Sequence, residues 1–356
     1  MTINSKLFVI NKLDYGTLYA HYDQVYSFIK NHLMLEKRKR VAVKLNLLGP
    51  LRPEQAATTH PAVVGLIVEI LCSFNCEVML CEDINSIDVI RETGLLPVLE
   101  RFGLQFYNLR DYGYKDIEVN GVTYQYSELI YTCDVLIQIP KFKTHMLTNY
   151  TGAIKNMFGC IKKQQRKETH RLLDENDFAN ALCSIYSIRI PDMVIMDSIV
   201  AMEGMGPSNG SPKHLGNLVL GADGVFVDYY CTKMTGFEVP KLKTLQYAIK
   251  RGFSSFKSEA ELISYCNQNA DNVVELYRIP VYEGRERDIY LSVLRRLYRI
   301  DYERCIQCGT CKEVCPFSAI EMEDGTPKIN INICKLCICC MEFCPVGAIR
   351  MDVKSK

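Results

Sequence analysis

Four short apolar runs punctuate the long N-terminal part of the chain: RVAVKLNLL (40–48), EVMLCED (77–83), CDVLIQIP (133–140) and MVIMDSIV (193–200). They read as strands. Between and after them lie segments with apolar residues at helical spacing, such as PAVVGLIVEILCSF (61–74) and DGVFVDYYCTKM (223–234). Strands alternating with helices predict an α/β sheet domain with Rossmann-like layers, most of the Met, Tyr and Cys residues of the helices belonging to its core. The pattern breaks near IPVYEGRERD (279–288), which is polar and turn-rich, before LSVLRRLYRI (291–300) leads into a cysteine-dense end. The expected organisation is an α/β domain over 1–285, a linker over 286–296 and a small domain over 297–356.

Length and charge narrow the classes. A chain of 356 residues exceeds one ordinary compact domain, consistent with a large domain plus a smaller one. Lys and Arg total 42 against 41 for Asp and Glu, without a long block of either sign, so no electrostatic case exists for nucleic-acid or anionic-membrane binding. Neither the N-terminal MTINSKLFVINKLDYG nor any later stretch carries a signal-peptide or membrane-spanning apolar run, and a soluble cytoplasmic protein is expected.

Nine of the 17 cysteines fall between Cys305 and Cys344. The first run, CIQCGTCKEVCP, places Cys305, Cys308, Cys311 and Cys315 at the C-x2-C-x2-C-x3-C-P spacing of bacterial ferredoxins, and CKLCICCMEFCP repeats it with Cys334, Cys337, Cys340 and Cys344. The offset between the runs also aligns Pro316 with Pro345, Ala319 with Ala348 and Ile320 with Ile349, which marks an internal duplication. Three closely spaced thiolates wrap one cluster, and in two-cluster ferredoxins the fourth comes from the other repeat. The expected ligand sets are therefore Cys305, Cys308, Cys311 and Cys344 for one 4Fe-4S cluster, and Cys334, Cys337, Cys340 and Cys315 for the other. A doubled triplet with proline after each distal cysteine differs from the paired knuckles of zinc folds. Cys339, aligned with Thr310, is expected to be a buried non-ligand. The small domain is thus expected to be an α+β ferredoxin-like module that gains much of its stability from two clusters.

In the large domain the densest polar stretch is PKFKTHMLTNYTGAIKNMFG (140–159), which follows the strand VLIQIP and turns into a helix. Ligand sites in open α/β sheets lie beyond the carboxyl ends of strands. Lys141, Lys143, His145, Lys155 and Asn156 would gather positive charge and donors there for an anionic small molecule; the competing reading is a solvated surface turn. Lys44 and Asn46 end another strand, before Thr58, Thr59 and His60, with Thr59 or His60 readable as a helix cap ahead of Pro61. A third place follows Asp197, where Glu203, Gly204, Gly206 and Gly210 suggest a loop able to present backbone N–H groups, although it matches neither glycine-rich nucleotide fingerprint. Cys72, Cys76 and Cys81 read as core thiols.

The segments VKLN, ATTHP, CEDIN, PKFKTHMLTNYTGAIKNMFG, His170 and MEGMGPSNGSP before LVLGADGVFVD together resemble the family known as domain of unknown function 362, whose members often carry a ferredoxin extension. The resemblance implies that Lys44, Asn46, His60, Lys141, Lys143, His145, Lys155, Asn156, His170, Glu203, Gly206 and Asp228 lie at family-motif positions, and it favours a site over a surface turn.

Two functions follow from this reading. One is a ferredoxin-linked oxidoreductase, in which Lys141, Lys143 and Lys155 hold an anionic substrate, His145 or His170 supplies the proton that accompanies the electron, and Lys44, Asn46, His60, Asn156, Glu203 and Gly206 complete the binding site. The other is a non-enzymatic redox adaptor that docks a partner protein. An enclosed pocket with converging lysines is expected for the first, an exposed face for the second. Either needs a redox partner protein, and no flavin or nicotinamide fingerprint is visible.

Overall fold

The computed structural model describes residues 7–35, 39–256, 260–262, 276 and 292–351. The large domain is built on a sheet of nine strands: β1 (Leu7–Ile10), β2 (Arg40–Lys44), β3 (Glu77–Glu82), β4 (Phe106–Asn108), β7 (Val135–Gln138), β8 (Lys141–His145), β9 (Asn149–Thr151), β10 (Met193–Glu203) and β11 (Ser211–Gly221). A separate hairpin pairs β5 (Tyr114–Val119) with β6 (Val122–Ser127). The main path runs β1-β11-β10-β7-β2-β3-β4. Its centre is parallel, from β10 through β7, β2 and β3 to β4, while β11 and β1 close one side antiparallel.

Side-chain alternation explains why the sheet is covered on both faces. Val41 and Val43 of β2, with Val78 and Leu80 of β3, pack under the helix Pro61–Ser73 through Val63, Leu66, Ile67 and Ile70. Ala42 and Met79 face the other way, into a core shared with the helices Glu175–Ile188 and Gly224–Met234. The helix Pro61–Ser73 starts as its sequence dictates: Pro61 fixes the first turn, and His60 Nδ1 accepts the Ala62 N–H at 3.2 Å.

From β2 the chain moves outward to β3 and β4, then returns to the opposite side of β2 to form β7. The winding therefore reverses between β2 and β7, and a crevice opens beyond their carboxyl ends, where Lys44 pairs in register with Gln138.

Two details depart from the sequence reading. PKFKTH is a strand, β8, paired with β9 and lying beside β10, and Lys141, Lys143 and His145 are all buried. The surface-turn reading is thereby set aside: the ammonium stems are covered by the sheet and by the C-terminal module. The strand expected to end at Asp197 continues to Glu203, because an irregularity between Ser198 and Val200 lets β10 bend while keeping its pairing with β11.

The C-terminal module pairs β12 (Tyr298–Ile300) with β15 (Ile349–Met351), and β13 (Ile320–Glu323) with β14 (Thr326–Ile329). Two short helices, Thr310–Val314 and Cys339–Phe343, lie between. The duplication extends to the backbone: Gln307 and Leu336, Gly309 and Ile338, and Ser318 and Gly347 are aligned pairs, all at positive φ. The module's apolar core takes in Met205 of the large domain, with Met146 and Leu147 packed against it. The linker expected over 286–296 lies outside the described residues up to 291, and 292–297 are helical. Among the described residues no helix is long and apolar enough to cross a membrane.

Candidate functional site

A cavity of about 70 Å³ lies at the point where the sheet reverses, between the large domain and the module. Its floor is built by the ends of β2 and β3. Lys44 Nζ donates to Glu82 Oε2 at 2.8 Å, to the Leu45 carbonyl at 2.9 Å and to Asn156 Oδ1 at 3.3 Å. Asn156 is fixed in turn by donating to Gln138 Oε1 at 3.0 Å, and Gln138 donates to the Ala153 carbonyl at 3.1 Å. This pair of opposite charges is buried and saturated with partners, the condition under which such a pair is tolerated. Gly159 closes the floor; a Cβ there would stand 3.0 Å from Glu82 Oε1 and 3.2 Å from Lys44 Nζ.

The wall is cationic. Lys143 is wholly buried and donates to the Ala57 carbonyl. Burial pushes its ammonium well below the ordinary lysine range, the carboxylate of Glu342 opposing and the charges of Lys155 and Lys141 reinforcing that shift. His145 accepts at Nδ1 from the backbone N–H of Leu147 at 3.1 Å and, more weakly, of Thr148 at 3.4 Å. The turn thus assigns the proton to Nε2, which donates to Glu342 Oε1 at 2.8 Å. Burial, and then the charge of Lys155, hold this imidazole at about 4, so it is a neutral donor near neutral pH.

Glu342 comes from the module, between Cys340 and Cys344. Its carboxylate lies 3.7 Å from Lys155 Nζ, and its second oxygen lies 3.3 Å from His170 Nε2, an approach off the angle of a hydrogen bond. Burial alone would raise this carboxyl; Lys155, His145 and His170 outweigh it and hold the group well below the usual carboxylate range. On the far side, Asp83 takes Arg110 Nε at 2.6 Å and forms an ion pair with Arg166, whose guanidinium lies 5.0 Å from the centre of the Phe343 ring. Lys163 also stands over Phe343, and Lys167 donates to the Glu313 carbonyl. Cations of the large domain thus grip both cysteine-bearing segments, Arg166 and Lys163 the one with Cys340 and Cys344, and Lys167 the one with Cys311 and Cys315.

Of the residues singled out from the sequence, Lys44, Asn46, Lys143, His145, Lys155 and Asn156 line this cavity, and His170 reaches it through Glu342. Lys141 and His60 belong to a separate buried network. Lys141 Nζ donates to Asp197 Oδ2 at 3.0 Å and Tyr15 Oη at 2.8 Å, the Tyr15 ring stacks on His60, and the His60 N–H donates to Asp197. Their chemistry is used up in joining β8, β10 and the loop before Pro61. Glu203 ends β10 and is not a lining residue, while Gly206 precedes Pro207, which is. A Cβ at Gly206 would overlap the Thr144 carbonyl, and one at Gly152 would overlap the Asp228 carboxylate, which accepts the Ala153 and Ile154 N–H groups. Gly206, Gly152 and Asp228 therefore shape the site by packing.

The sequence reading missed Glu82, Asp83, Arg166 and Glu342. The ED pair at the end of a strand was a usable signal for the first two. Glu342 had none: its counterpart in the first repeat, Glu313, is exposed.

Within the module two cavities are each bordered by four cysteines. Cys315, Cys334, Cys337 and Cys340 line one with Tyr298 and Ile338; Cys305, Cys308, Cys311 and Cys344 line the other with Ile306 and Pro345. Among the described residues no three His, Cys, Asp or Glu side chains gather tightly enough for a single metal ion. Each wider set of four thiols offers the ligand number and the apolar surroundings that suit an iron-sulfur cubane. Backbone N–H groups point at the thiols in both repeats: Ala319 to Cys315 and Ala348 to Cys344, each at 3.2 Å. Cys339 is fully buried and borders neither cavity.

Residues 298–321, which hold the first cysteine run, match the family described as 4Fe-4S binding domain, and this supports iron-sulfur electron transfer by the module. The chain is 26% identical over 246 residues to the thylakoid-associated protein sll1697 of Synechocystis, covering 68% of this chain and 76% of that protein. Among solved structures it resembles the lactate racemase apoprotein from Thermoanaerobacterium thermosaccharolyticum, with a TM-score of 0.41 and 13% identity, covering 64% of this chain and 57% of that one. Residues 41–233, more than half of the chain, match the model of the family described as Domain of unknown function (DUF362), and the chain belongs to that family.

Proposed function

We propose that the protein is an iron-sulfur oxidoreductase in which two 4Fe-4S clusters, one held by Cys305, Cys308, Cys311 and Cys344 and one by Cys334, Cys337, Cys340 and Cys315, serve a small anionic substrate bound in the cavity between module and sheet. One observation carries the reading: the cavity that gathers Lys143, Lys155 and His145 is closed by Glu342 and Phe343, which directly precede the ligand Cys344. Bound clusters supply one-electron transfer, refilled by a protein donor.

The chain's own residues bind, orient and protonate. Lys155 and the neutral Nε2–H of His145 hold the anion, and Lys143, sheltered from water, exchanges a proton with it. The proton role moves from His145 to Lys143 or His170, because the His145 tautomer is fixed by its turn. Lys44 and Asn156 anchor the floor, and Lys141 and His60 act only as structure.

At about 70 Å³ the cavity suits a small anion and falls far below the ~300–1,000 Å³ of pockets for drug-sized ligands and organic cofactors. Electrons would then pass to the substrate without a flavin in this cavity. Ile306, Ile331 and Ile333 are exposed apolar residues beside the cysteine runs, where a donor protein would approach.

The test is substitution in the anaerobically purified, reduced protein. Lys143→Ala and Lys155→Ala are expected to leave the cluster absorbance intact and to abolish anion-dependent reoxidation. Reoxidation at the wild-type rate in both would return the lysines to structural roles.

A further inference from the structure

The module brings its own carboxylate into the cationic cavity, and the groups around that carboxylate form a receptor. Glu342 Oε1 takes the Nε2–H of His145 at 2.8 Å with Lys155 Nζ at 3.7 Å, and Oε2 faces His170 Nε2 at 3.3 Å. The other charged pairs of the cavity are complete without it: Lys44 has Glu82, and Asp83 has Arg110 and Arg166. Glu342 is thus the counter-ion of Lys155 and the acceptor of the His145 Nε2–H.

A second, independent feature marks the cavity as a binding site. Asn46 and Thr151 both line it, both are more than nine-tenths buried, and Asn46 Oδ1 and Thr151 Oγ1 have no hydrogen-bond partner among the described residues. Buried polar atoms without partners are costly and seldom left so unless a ligand completes them.

We infer that Glu342 occupies the subsite of a substrate carboxylate, so that the natural ligand is a small carboxylate whose remaining polar group meets Asn46 and Thr151, and whose binding displaces Glu342. This rests on the anion-site reading given above and names its substrate class. Glu342 is here a positioning residue. Its displacement moves the short helix Cys339–Phe343, which carries Cys340 and leads into Cys344, so occupancy of the cavity is felt by the cysteine-bearing segment.

Acetate binding to the holoprotein tests the inference without any turnover. An intramolecular carboxylate competes at an effective concentration in about the millimolar range or above, so Glu342→Ala and Glu342→Gln should each bind acetate about tenfold or more tightly than the wild type by calorimetry. Adding Lys155→Met to Glu342→Ala should remove the gain. Iron and sulfide content verifies that the module is intact, and the near-isosteric Gln variant serves if Ala is poorly folded. Equal acetate affinity in wild type and both variants overturns the inference, as does a gain that survives Lys155→Met. Tight acetate binding with no reoxidation of the clusters by any carboxylate would leave the subsite standing and refute the oxidoreductase reading instead.

Discussion

At the scale of single residues, the buried charges on the floor of the cavity are matched by partners. Lys44 is the clearest case, held by Glu82, Asn156 and a carbonyl. Lys44→Met should leave Glu82 buried without its cation and cost about 3–5 kcal/mol by chemical denaturation, a loss the double variant with Glu82→Gln should partly recover. His60 carries a pH signature. Burial, partly offset by Asp197 and reinforced by Lys141, lowers its imidazole from 6.5 to about 4. A depressed pKa means the native state holds the neutral ring: its stability contribution is complete above pH 6.5 and disappears as pH falls through 4. The expected loss is on the order of 3 kcal/mol across that window, and His60→Asn, which keeps a cap for the Ala62 N–H, should flatten it in melts across that range.

At the scale of elements, the repeated cysteine run makes a prediction no single residue can. If the distal cysteines are exchanged between repeats, Cys344→Ser should impair the cluster of the first repeat and Cys315→Ser that of the second, and Cys339→Ser should change neither. Electron paramagnetic resonance of the reduced variants separates the two signals. The wild type should contain about eight irons per chain.

The elements also show what the sequence could and could not reveal. The parallel core strands and the helix after His60 were legible because buried strands and a proline-started helix leave strong local patterns. So was the module, whose ligand spacing is set by cluster geometry. The strand β8 is not legible because Lys-Phe-Lys-Thr-His looks polar and leaves a surface turn open as a competing reading; what buries it is the sheet, with Phe142 in the core, and at its His145 end the module, through Glu342. The separation of Lys141 from Lys143 was equally hidden, since it depends on where Tyr15 and Asp197 arrive. Glu342 lies inside a cluster-ligand run whose spacing says nothing about the residues between the cysteines, and its aligned partner Glu313 faces solvent.

At the scale of the whole molecule, two architectures meet at one cavity. The sheet's reversal between β2 and β7 supplies the crevice, as open α/β sheets do, and the ferredoxin-like module closes it with Glu342 and Phe343. Under the proposed function that lysine-lined cavity would hold the substrate, whereas a carrier that merely docks its acceptor has no need of one. The most direct measurement mixes the chemically reduced holoprotein, under anaerobic conditions, with a panel of small carboxylates and phosphates and follows the cluster absorbance. A small carboxylate should reoxidise the clusters with a rate that saturates in its concentration, taking up about two electrons per chain. Clusters that stay reduced with every small anion, yet are oxidised promptly by a protein acceptor, would contradict it.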